Sequence, residues 1–93
     1  MDEINFQKLK EIYGVLSNEN RLKIIFYCSK EHLTITELSK KLKLNYNMTS
    51  QYVSSLSKLE LIKKTRKPNK TVIVESLIII NKLGEIKKKE INY

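Results

Sequence analysis

Four side chains, Asn47, Ser50, Gln51 and Ser54, recur at three- and four-residue spacing within a stretch almost devoid of charge. On a helix that spacing stacks two amides and two hydroxyls along one face. An ordinary solvated face favours Glu, Lys and Arg, which form helices better than Ser or Asn. Short hydrogen-bonding side chains without carboxylates suit a different task, contact with base edges in a duplex groove, where Asn and Gln can each pair bidentately with adenine. Tyr46 opens the same stretch and could hydrogen-bond a phosphate or pack on a sugar. Directly after it come Lys58, Lys63, Lys64, Arg66, Lys67 and Lys70, opposed only by Glu60. Such a cationic run could neutralise phosphates.

The overall charge is +8, with 30% charged and 41% apolar residues in 93. These values describe one globular domain with a modest core. Basicity alone would fit nucleic acid, an anionic membrane or an acidic partner. Its distribution is more specific, because residues 1 to 20 are net acidic, with Asp2, Glu3, Glu11 and Glu19 against Lys8 and Lys10. No apolar run approaches the roughly 20 residues of a membrane span. The acidic Met1-Asp2-Glu3 start is unlike a signal peptide, so a cytoplasmic, nucleoid-associated location is expected by elimination.

One cysteine excludes an internal disulfide and a thiolate-built metal site within a single chain. Neither a metal, a cofactor nor a small-molecule ligand is expected. There is no Gly-rich phosphate loop, no paired carboxylates at useful spacing and no Ser/His/Asp or Cys/His set, so an enzyme is the weakest reading. Cys28 reads as a buried, inert thiol, with a redox sensor or interchain disulfide as the sharper alternatives. His32 reads as surface or a helix-terminal cation, and Lys87-Lys88-Lys89 as a solvated face.

The elements that must position these residues follow from periodicity. Ile4, Leu9, Ile12, Tyr13 and Leu16 predict a helix over 4–16. Ser17 or Asn18 can cap a second, to about Ser29, whose apolar set is wider than one stripe and predicts a central helix or one covered by a partner. Leu33-Thr34-Ile35 is extended, and Thr36 caps a helix to Leu42. Lys43 and Leu44 turn the chain. Asn45 caps a helix from Tyr46 to about Leu59, with Thr49, Val53, Leu56 and Leu59 inward. Residues 62–66 and 71–75 alternate as strands about a Lys67-Pro68-Asn69-Lys70 turn. Leu77 to Ile80 continues the returning strand as its buried end. Asn81 then caps a last helix, 82–91, with Leu83, Ile86 and Ile91 or Tyr93 inward. The expected fold is α+β, mainly α: a winged helix-turn-helix with a three-helix core, a two-stranded β-wing at 62–75, and extra helices at both ends.

The sequence also resembles a family. Leu16-Ser17-Asn18-Glu19-Asn20-Arg21-Leu22-Lys23-Ile24-Ile25 is similar to the opening of winged-helix regulators related to the arsenic repressor. Leu33 to Leu42 resembles their Thr-x-x-Glu-Leu entry. Asn45-Tyr46-Asn47 and the apolar spacing to Leu61-Ile62 resemble the recognition helix of archaeal members. The resemblance runs from Leu16 to about Gly84 without gaps.

That likeness implies a homodimeric transcriptional regulator bound to double-stranded DNA. The helix 46–59 would enter the major groove, with Tyr46, Asn47, Ser50, Gln51 and Ser54 at the bases. Lys58, Lys63, Lys64, Arg66, Lys67 and Lys70 would lie on the backbone, and residues 1–16 and 82–93 would form the dimer contact. Three positions depart from the family pattern. Its histidine-leucine pair is Tyr52-Val53 here. Its glycine after the recognition helix is Glu60, which would pay about 1 kcal/mol for a left-handed turn unless the helix runs one residue longer. Its metal-binding cysteine pair is Ser39-Lys40, which removes thiolate metal sensing. The competing readings are a sequence-tolerant architectural DNA binder and a winged helix used to dock a protein. The latter would offer only Tyr46 and Met48 as anchors.

Overall fold

The computed structural model describes residues 3–89, in the order α1 (Phe6–Leu16), α2 (Glu19–Lys30), β1 (Leu33–Thr34), α3 (Ile35–Leu42), α4 (Tyr46–Lys58), β2 (Ile62–Arg66), β3 (Val72–Ser76), β4 (Ile78–Ile80) and β5 (Ile86–Lys88). Asn5 and Asn18 cap the first two helices, accepting from the backbone N–H of Lys8 and Arg21. Helix α2 is central as expected: Ile24, Ile25 and Cys28 are fully buried between α3, α4 and the sheets. Its other side leaves Leu22 and Phe26 exposed.

The start of α3 differs from expectation. Thr34, not Thr36, is the cap, because it stands three residues before Glu37. The Glu37 N–H donates to Thr34 Oγ1 at 3.0 Å, and the Thr34 N–H donates to the Glu37 carboxylate at 2.9 Å. This reciprocal box draws Ile35 into the helix, where it is buried. The Thr34 hydrogen bonds, backbone first, hold the Glu37 carboxyl below its usual value, with Lys41 and Lys40 adding to the shift. The box therefore contributes above the ordinary glutamate pKa and is lost as pH falls through the lowered one.

Two matching turns set the helix pair. Lys43 takes the left-handed conformation (φ 57°), with its N–H on Lys40 O and the Leu44 N–H on Ser39 O. Glu60 does the same after α4 (φ 59°), with its N–H on Ser57 O and the Leu61 N–H on Leu56 O. Both are Schellman terminations, in which two otherwise unpaired carbonyls find donors. Of the two routes open to the chain at Glu60, it takes the left-handed turn. Between these turns Asn45 caps α4 by accepting from the Met48 N–H at 2.8 Å. Thr49, Val53 and Leu56 are fully buried, with Leu59 half-buried beyond them. Thr49 can be apolar-facing because its hydroxyl donates to Asn45 O.

Strand β3 lies between β1 and β2 in an antiparallel sheet. The wing closes at Pro68-Asn69-Lys70, where the Lys67 N–H reaches Thr71 O and Lys70 is left-handed (φ 68°). Beyond it the fold departs from expectation twice. Residues 78–80 do not extend the wing strand: the Ser76 hydroxyl donates to Ile78 O at 2.7 Å and bends the chain into a separate strand. The last helix is a hairpin instead over residues 82–89, since β4 pairs antiparallel with β5, Ile80 opposite Ile86. Asn81 caps a turn, not a helix. Its side chain accepts from the Leu83 and Glu85 N–H groups, and Gly84 occupies φ 82°. Leu83 is exposed and Ile86 half-buried, while Ile91 and Tyr93 lie outside the described residues.

Glu60→Gly should raise unfolding free energy by roughly 0.5–1 kcal/mol, the left-handed penalty less glycine's entropy. Urea unfolding with an unchanged slope measures it. Loss of stability would show that the Glu60 side chain, not the backbone, matters at this turn.

Candidate nucleic-acid interface

Burial of Thr49, Val53 and Leu56 turns the opposite side of α4 outward. Asn47 and Gln51 are exposed there, Tyr46 is 47% exposed, and Ser50 and Ser54 are half-buried on the flank toward the wing. Both amides are therefore available to a ligand. Ser54 is already engaged, its hydroxyl accepting from Lys64 Nζ at 3.3 Å. Met48, which is not among the expected base contacts, is 41% exposed in the first turn.

The wing cations separate by strand alternation. Ile62 is buried, and Lys64 and Arg66 follow it on the same face of β2, opposite Val74 and Val72. That face meets α4. Lys63 is on the other face, opposite Glu75, whose carboxylate also lies 3.5 Å from His32 Nε2. Lys67 and Lys70 flank the exposed turn. Where β2 passes the start of α4, a hollow of about 280 Å³ is lined by Ile35, Tyr46, Ser50, Lys64, Arg66 and Val72. Lys58 lies elsewhere, on the rim of a second hollow of about 550 Å³ between the ends of α1 and α4.

Arg21, which stands in the sequence only as part of the Leu16–Ile25 motif, lines that second hollow. Half-buried Arg21 donates from Nε to Ser55 Oγ at 3.0 Å and from Nη1 to Val15 O at 3.2 Å. Its guanidinium also lies 5.3 Å from the Tyr52 ring centre. One side chain thus joins α1, α2 and α4, and the signal available was an arginine inside an apolar helical pattern. Phe6, Leu9 and Tyr13 are exposed along α1, Leu22 and Phe26 on α2, and Leu83 in the hairpin turn, while Ile79 is exposed on the face of β4 opposite Ile80. Between them runs a furrow lined by Tyr13, Leu22, Ile80 and Ile86.

Cys28 is fully buried, and burial, assisted by Glu31 and opposed by Lys89, pushes its thiol up to about 12. Among the described residues no helix is long and apolar enough to cross a membrane.

This arrangement of helix pair and flanking hairpin defines a class. The chain matches the winged helix-turn-helix family over residues 19–91 and belongs to it. Solved structures agree. HlyU of Vibrio cholerae superposes with a TM-score of 0.71 at 27% identity, over 81% of this chain and 80% of that one. The transcriptional regulator HlyU of Vibrio vulnificus gives 0.66 at 26% identity, over 77% and 74%. NolR of Sinorhizobium fredii gives 0.71 at 22% identity, over 82% and 81%, a likeness of fold. No curated protein sequence matches significantly.

The raised thiol sets a chemical expectation. At pH 8 a group titrating near 12 is about 10⁻⁴ thiolate, against roughly a quarter for an ordinary cysteine. Iodoacetamide should alkylate Cys28 in the native protein at least about a hundredfold more slowly than in denaturant. A rate within tenfold would mean the thiol is reached without unfolding.

Proposed function

We propose that this protein is a sequence-specific, double-stranded DNA-binding transcriptional regulator that acts as a homodimer. The observation that carries this reading is the pairing of two exposed amides, Asn47 and Gln51, with a wing whose Lys64 and Arg66 face the same helix. Helix α4 enters the major groove and the wing follows the adjacent backbone. Affinity comes mainly from phosphate neutralisation by Lys58, Lys63, Lys64, Arg66, Lys67 and Lys70, and base preference from the outward face of α4. The superposition on a protein described as a transcriptional regulator supports this use of the fold. The motifs at Leu16–Ile25 and Leu33–Leu42 support an arsenic-repressor-like regulator of archaeal type, working in the cytoplasm at the nucleoid. Catalysis forms no part of this reading.

The dimer contact is the apolar face of α1, α2 and the C-terminal hairpin. Phe6, Tyr13 and Leu83 are each more than half exposed, and the furrow lined by Tyr13, Leu22, Ile80 and Ile86 joins α1, α2 and the hairpin in one apolar surface. Two copies joined there would present two copies of α4 about one helical turn of DNA apart.

Selection of duplexes from a random pool at two salt concentrations tests the reading. Inverted repeats should emerge, and equal retention of all sequences would instead mark an architectural binder. On a selected duplex, Gln51→Ala should relax preference at one base pair per half-site while leaving the salt slope unchanged; a uniform loss on every sequence would count against base reading. Lys67→Ala should weaken binding to all duplexes alike and reduce the log–log salt slope by about 0.9 per chain. An unchanged slope would place the wing tip off the backbone.

A further inference from the structure

The hollow between α4 and β2 combines groups that suit an anion. Lys64 and Arg66 project from alternate positions of one strand, and Tyr46 and Ser50 from adjacent turns of one helix. Ile35 and Val72 complete the lining, and no carboxylate takes part. Lys64 gives one of its three donors to Ser54 and keeps two. Arg66 makes no ion pair among the described residues. Two cationic side chains thus line one hollow that holds no carboxylate, and two hydroxyl-bearing side chains line it with them.

We propose that this hollow is a seat for a single phosphodiester of the DNA backbone, gripped jointly by Lys64, Arg66, Tyr46 and Ser50. The proposal rests on the DNA-binding reading above and changes its division of labour. Tyr46 and Ser50 hold the backbone and fix how far α4 enters the groove. Ser54 braces Lys64. Base reading then falls to Asn47 and Gln51, whose amides match adenine, with Met48 beside them offering an apolar surface to a thymine methyl.

The seat has a signature that separate surface contacts lack. Two cations sharing one phosphate neutralise one charge, so either alone still displaces the counterion. Lys64→Ala and Arg66→Ala should each leave the log–log salt slope nearly unchanged, whereas the double variant should lower it by about 0.9 per chain. Independent contacts would lower it by about 0.9 each and 1.8 together, and that result would overturn the seat. The slopes can be measured on any fixed duplex, so the test stands even if the protein proves indifferent to sequence, an outcome that would sink the regulator reading alone.

Tyr46→Phe and Ser50→Ala supply the second readout. Each should weaken binding several-fold on every duplex with the selected base preferences intact. Relaxed preference at a base pair in either variant would return that residue to base reading and overturn the assignment. Replacing single phosphates of a selected duplex by uncharged methylphosphonates should reveal one position per half-site that costs the wild type tenfold or more and costs the double variant little. Inorganic phosphate, titrated without DNA at constant ionic strength, should shift the Ser50 amide resonance only weakly and without saturation. Saturation below millimolar phosphate would make the hollow a small-anion site and overturn the proposal.

Discussion

The whole interface depends on the register of one buried strand. Val74 is fully buried and lies opposite Leu33 on one side and Lys64 on the other. The first pairing joins the wing to the strand that carries the cap of α3; the second decides which wing cations look toward α4. A slip of one residue would send Lys64 and Arg66 to the outer face and bring Lys63 and Thr65 inward. Val72, Val74 and Ser76 share the inner face with Ile62, so the slip would also expose the apolar side of the sheet. The hydrophobic effect thereby fixes the position of charges that contribute nothing to the core. Glu60 serves the same end, since its left-handed turn sends the chain back along the helix it has just left.

Arg21 applies a second constraint, between helices. Its bonds to Val15 O and Ser55 Oγ tie the end of α1 to the last turn of α4. The apolar face of α1 is the proposed site of subunit contact, and α4 carries the outward-facing amides. A half-buried guanidinium must keep its donors occupied and is a costly connector unless every element is in place. One side chain thus links the two helices, beside the packing of each on α2.

Much of this is legible in the sequence. Asn45 as a cap, the inward Thr49-Val53-Leu56 series and the Pro68-Asn69 turn are local signals with local causes, and each holds in the fold. The failures have physical reasons as well. Thr34 and Thr36 are equally good caps by type, and only the distance to Glu37 chooses between them. Asn81 stabilises a turn as readily as it caps a helix. Gly84 and the Ile78-Ile79-Ile80 run favoured a hairpin, but short apolar runs are ambiguous in period. The separation of Lys63 from Lys64 and Arg66 was present in the alternation from Ile62, yet was hidden by treating the cations as one patch. The bond from Lys64 to Ser54 joins residues ten apart in different elements, and no spacing rule reaches it.

The proposed division between grip and reading has an energetic consequence for assembly. A good bidentate contact discriminates by roughly 1–3 kcal/mol, so two amides on one chain supply about 2–6 kcal/mol. Useful preference for a chosen site over bulk duplex runs to about 4–10 kcal/mol. One copy of this domain falls at the lower edge of that range, whereas two copies on a symmetric site cover it. The cations cannot make up the difference, because phosphate neutralisation is the same on every sequence. On the proposed reading a surface this sparse calls for a second copy, and the exposed Phe6, Leu9 and Tyr13 of α1 are the apolar area proposed to receive it.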